Sequence, residues 1–75
     1  PFWLMPEPQP LGGHREHLHW NGKLKLLAGP ERIEDNWWLD PVSRDYYVAR
    51  NKSGQLYWLY RDRLQQQWFI HGVFA

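Results

Sequence analysis

Three aromatic-rich runs, RDYYVARN at 44–51, QLYWLYR at 55–61 and QWFIHGVF at 67–74, follow one another with only short polar breaks between them. Breaks of the type Lys52-Ser53-Gly54 and Leu64 to Gln67 are turn chemistry, so the runs read as a three-stranded antiparallel meander. Side chains on a strand alternate between faces. On that parity Tyr46, Val48 and Arg50 oppose Tyr47, Ala49 and Asn51; Leu56, Trp58 and Tyr60 oppose Tyr57 and Leu59; and Trp68, Ile70 and Phe74 oppose Phe69, His71 and Val73. Neither face is polar. A sheet wetted on one side alternates cleanly, so this one needs a second covering from barrel closure, the N-terminal segment or a partner.

The rest of the chain supplies few alternatives to β structure. Residues 1–10 carry prolines at 1, 6, 8 and 10, which favour extended backbone and read as a linker. Phe2, Trp3, Leu4 and Met5 are too apolar for a free tether and predict an edge segment, leaving 11–75 as the small β domain. Asn21-Gly22 predicts a two-residue hairpin between His17–Trp20 and Lys23–Leu27, with Gly29-Pro30 ending its second strand. Residues 31–39 fit either one helical turn or an irregular strand, closed by Asp40-Pro41. The fold class is mostly β: a small antiparallel barrel or rolled sheet of about five strands, with the meander at its C-terminal end.

With 75 residues, a single domain is the ceiling, and its stability depends on a few large side chains. Six Trp, four Tyr and three Phe supply them. Trp58, Trp68 and Phe69 read as core, whereas the hydroxyls of Tyr57 and Tyr60 favour a half-exposed place. The absence of Cys excludes disulfides and thiolate metal sites and favours the cytoplasm. No apolar run is long enough for a membrane span, the first residues do not resemble a secretory signal, and the opening Pro suggests a piece of a longer protein.

Candidate chemistry is sparse. His14, His17 and His19 resemble zinc ligands, but a fourth ligand is missing, and a polar loop explains them as well, so no metal or other cofactor is assigned. Asp35, Asp40 and Asp45 as a cation site, and His71 beside Trp68 as an acid or base, each lack the remainder of a constellation. No catalytic motif is present, so the expectation is a protein that is not an enzyme. The formal net charge is only +1, yet Arg44, Arg50, Lys52, Arg61 and Arg63 face just Asp45 and Asp62 across 44–63. Those cations, with Tyr57 or Tyr60 stacking on bases, make single-stranded DNA a candidate ligand of the meander. Arg44 and Asp45 are neighbours, point apart on a strand, and are expected to pair with other residues.

Gly29 to Ile33, Trp37 and Trp38, Arg44 to Tyr46, Trp58 to Arg61, and Trp68 to Gly72 occur in an order that resembles the C-terminal region of ImuB proteins, Y-family polymerase-like subunits of a bacterial mutagenesis cassette. The resemblance spans nearly the whole chain. It implies a non-catalytic accessory role in translesion DNA synthesis during the DNA-damage response, with an ImuA-like RecA-related protein and a DnaE-type polymerase as partners. The family's clamp-binding peptide is not recognisable here. Interfaces favour Trp, Tyr and Arg, which makes Trp37, Trp38, Arg44, Tyr46 and Tyr47 the expected partner-facing or partner-supporting cluster.

Overall fold

The computed structural model describes residues 2–35 and 41–74. Five strands, β1 (Phe2–Pro10), β2 (Lys25–Asp35), β3 (Val42–Arg50), β4 (Leu56–Asp62) and β5 (Gln67–Phe74), form one antiparallel sheet in the order β1-β5-β4-β3-β2. The expected meander is β3 to β5. Its turns close as their polar residues require: Asn51 Oδ1 accepts from the backbone of Ser53 at 3.1 Å and Gln55 at 2.9 Å, and Asp62 Oδ1 from Leu64 at 2.9 Å and Gln65 at 3.1 Å.

Of the two expected architectures the sheet is the open one, because β1 and β2 lie at opposite edges and do not pair. This order dictates the covering of one face. The chain must travel from one edge to the other between β1 and β2, and residues 11–24 do so across the sheet. Leu11 N–H donates to Trp68 O at 2.9 Å and Leu24 N–H to Leu18 O at 2.9 Å, fixing the crossing. Leu11, Leu18 and Leu24 then pack on Tyr47, Ala49, Tyr57, Leu59, Trp68 and Ile70 to make the core. Each fully buried Leu or Ile contributes about 1.5–3 kcal/mol, so this strap is a main source of stability.

Both edge strands depart from a regular ladder. In β1, Leu4 pairs with Gly72 and Gln9 with Ile70, so Met5 to Pro8 bulge away opposite His71. β2 continues through Gly29-Pro30, where a strand end was expected, with register breaks between Leu26 and Ala28 and between Ala28 and Glu31. Pro30 is tolerated because an edge strand has one side without a ladder partner. The strand also decides 31–35 in favour of extended backbone over a helical turn.

The first hairpin is smaller than expected. Asn21 and Gly22 do take positive φ, 51° and 120°. The pairing, however, is a single bridge between His19 and Lys23 across a three-residue turn; it ends at the Leu24 N–H to Leu18 O bond, and the side chains of both leucines are buried in the core. A further difference lies in β5. A register break between Trp58 and Leu59 pairs Ile70 with Leu59 and Gly72 with Trp58, which shifts the parity past His71. Val73 therefore joins the core, and Phe74 meets Phe2 on the other side, the reverse of simple alternation.

Candidate functional site: the aromatic face of the meander

The face opposite the strap carries stacked rings from three strands. Cross-strand pairing sets Tyr46 beside Tyr60 and Tyr60 beside Phe69. Tyr46 stacks on Trp58 with centroids 4.0 Å apart and planes at 20°, and Trp58 stacks on His71 at 5.4 Å and 8°. Tyr60 stacks on Phe69 at 5.2 Å. Phe2 of β1 closes one side, edge-on to Trp58 at 5.6 Å. Offset and edge contacts of this kind each add about 0.5–1.5 kcal/mol beyond area burial.

Arg44 holds this array. Its guanidinium lies 4.3 Å from the Tyr60 ring centroid, and its Nη1 donates to the Tyr46 hydroxyl at 3.1 Å. The Tyr46 hydroxyl also lies 2.9 Å from His71 Nδ1. Burial and the nearby Arg44 charge hold the His71 pKa below its ordinary value. With His71 neutral, the Tyr46 proton is assigned to the bond toward Nδ1. Burial raises the Tyr60 phenol, with Arg44 opposing. The chain Arg44, Tyr46, His71 is thus a polar seam inside an aromatic layer.

This seam gives a pH dependence with a definite sign. The unfolded histidine titrates near 6.5 and the folded one below it, so the unfolded state binds more protons as pH falls. Stability from His71 is present above that value and is lost on acidification. The midpoint of thermal unfolding is expected to drop between pH 7.5 and 5.5, and to drop less in His71→Gln, which keeps an acceptor for Tyr46. Parallel profiles for the two proteins would refute the assignment. Asp45, lowered from 3.8 chiefly by the hydrogen bond from Arg32, adds stability that is lost only at still lower pH.

The aromatic cluster expected from sequence is divided. Trp37 and Trp38 lie outside the described residues. Tyr46 and Tyr47 are both buried, on opposite faces: Tyr46 in the array, Tyr47 in the core with Arg15 Nη1 donating to its hydroxyl at 3.1 Å. Arg44 and Asp45 do point apart, and Asp45 pairs with Arg32 Nε at 2.8 Å. His71 is not beside Trp68, which lies in the core; it faces the other way, on Trp58. Trp58 and Phe69, read as core, are half-buried members of this face. Which face each joins depends on cross-strand register, which alternation along a single strand does not supply.

The residues proposed for DNA do not form one surface. Tyr57 and Tyr60 are buried, not half-exposed: Tyr57 packs in the core, with Asn51 Nδ2 donating to its hydroxyl at 3.4 Å, and the Arg44 guanidinium caps the Tyr60 ring. Neither is free to stack on a base. Arg44 pairs with Asp62 at one end of the β3-β4 ladder and Arg50 with Leu56 at the other, about 20 Å apart at strand rise. Arg61 and Arg63 share the first end, where Arg63 donates to Ser43 Oγ at 3.0 Å; Lys52 shares the second. Among the described residues no group of three or more His, Asp or Glu could hold a metal ion, so His14, His17 and His19 do not converge. No helix among them is long and apolar enough to cross a membrane.

The chain is similar to Protein ImuB of Caulobacter vibrioides, in both strain NA1000 / CB15N and strain ATCC 19089 / CIP 103742 / CB 15. The alignment is 32% identical over 73 residues and covers 75% of this chain. It spans only 16% of the length of those relatives. No protein-family profile matches the chain. No solved structure matches it.

Proposed function

We propose, from the similarity to ImuB, that this chain is a non-catalytic interaction domain of an ImuB-like accessory protein of translesion DNA synthesis, acting in the cytoplasm during DNA-damage-induced mutagenesis. Its docking surface is the aromatic face of the meander, and its partners are an ImuA-like RecA-related protein or a DnaE-type polymerase. The observation that carries this reading is the Tyr46-Trp58-His71 stack, fixed from one side by Arg44. Half-buried Trp58, Phe69 and His71 offer large rings already held in place, so a partner meets them at little cost in side-chain entropy. Buried Tyr46 supports these rings and does not itself face the partner.

Titrating the isotope-labelled chain with each partner tests the proposal. The indole resonance of Trp58 and the ring resonances of Phe69 and His71 are expected to shift with one of the two. Trp58→Ala, verified as folded, is expected to weaken that binding by tenfold or more, as for a central aromatic anchor. Unchanged spectra with both partners at high micromolar concentration would remove the proposal.

A further inference from the structure

The turn end of the sheet carries a second surface, separate from the aromatic face. A groove of about 630 Å³ is lined by Arg15, Lys23, Lys25, Arg50 and Lys52. They come from three places in the chain: Arg15 from the strap, Lys23 and Lys25 from the entry to β2, and Arg50 and Lys52 from the β3-β4 turn. All five are exposed, and none forms an ion pair among the described residues, where the two pairs present are Arg32 with Asp45 and Arg63 with Glu34. Glu16 is the one carboxylate in the lining. Five cations against one anion in a concavity is a large local excess for a chain whose formal net charge is +1.

We propose that this groove binds the phosphodiester backbone of a single-stranded nucleic acid. Phosphate is the group that several converging Lys and Arg side chains recognise together, and Arg15 is already positioned by its hydrogen bond to Tyr47. The lining contains no aromatic residue, so the groove takes the backbone and not the bases, and binding is indifferent to sequence. A flexible strand can follow cations into a concavity, whereas a stiff duplex touches only its rim. An anionic bilayer is disfavoured because the groove's two leucines, Leu24 and Leu26, are buried and half-buried, leaving no fully exposed apolar side chain in the lining to insert. This site stands independently of the docking face.

Fluorescence anisotropy of a labelled 20-mer of deoxythymidine with the full 75-residue chain provides the test. If five phosphates are neutralised, log affinity falls against log salt with a slope of about −3.5, which is roughly a hundredfold between 50 and 200 mM salt. Lys25→Ala/Lys52→Ala changes two exposed side chains, so the fold is kept. It is expected to weaken binding more than tenfold at 50 mM salt and to reduce the slope to about −2. Arg61→Ala/Arg63→Ala, at the other end of the strands, is expected to leave affinity within about twofold, because those cations lie outside the groove. The proposal is overturned by undetectable binding at 100 μM protein in 50 mM salt, or by an unaffected Lys25/Lys52 variant. It is equally overturned if polyglutamate, tripolyphosphate, phosphatidylserine vesicles or a duplex of the same length binds as tightly as the single strand.

Discussion

Leu59→Ala is expected to lower stability by about 2–5 kcal/mol, the cost of lost burial plus an unfilled cavity. Leu59 is 0% exposed and sits in the core between the sheet and the strap, with Leu18 likewise fully covered. A chain of 75 residues is stable by roughly 4–11 kcal/mol, so this one truncation removes a large part of the whole. Urea unfolding followed by tryptophan fluorescence measures it, with Leu27→Ala, 46% exposed, as the control expected to stay within about 0.5 kcal/mol. A loss below 1 kcal/mol at Leu59 would mean that the strap-covered face is not the main core.

The second large effect is expected at Gly29, in the irregular stretch of β2 between Ala28 and Glu31. Its φ is +117°, and an added Cβ would stand 2.6 Å from Tyr46 O and 3.1 Å from Tyr47 Cα. Both obstacles are backbone and cannot swing aside. Gly54 separates the two contributions, since its φ of +92° is also positive but a Cβ there meets nothing within 4 Å. Gly54→Ala is therefore expected to cost about 1 kcal/mol from backbone strain alone. Gly29→Ala should cost about 3 kcal/mol or more, with loss of hydrogen-exchange protection in β2 between Ala28 and Glu31. Equal costs at the two glycines would show that β2 yields freely and that the close approach to Tyr46 is unimportant.

The parts of this fold legible in the sequence are those fixed by local chemistry. β3, β4 and β5 are visible because Asn51 and Asp62 hydrogen-bond the backbone of their own turns, and the aromatic content between them needs no distant information. That both faces require a cover also follows from parity. What covers them does not: the strap crosses one face only because β1 and β2 occupy opposite edges, a matter of strand order that alternation does not encode. The Gly29-Pro30 pair reads as a terminator, yet an edge strand absorbs it with two register breaks. A single irregularity at His71 exchanges the roles of Val73 and Phe74, as a one-residue slip in any strand must. The candidate site suffered from the same limit. Arg44 was recognisable as an anchor beside aromatics, but Trp58 and His71 became its companions only through cross-strand register, and the groove draws its five cations from segments far apart in sequence.

The interrupted edges have a consequence for how such a domain survives at high concentration. An open sheet is a template at both ends, and a regular ladder there would let one molecule nucleate a chain of others without limit. Here β1 carries Pro6, Pro8 and Pro10, and β2 carries Pro30, each a position that cannot donate to an incoming strand. In the polymer sense each proline is a missing link: an incoming strand finds no donor there. The domain keeps its rings on an open platform, where a closed barrel would have drawn them inward, while its edges offer only a broken template to another copy.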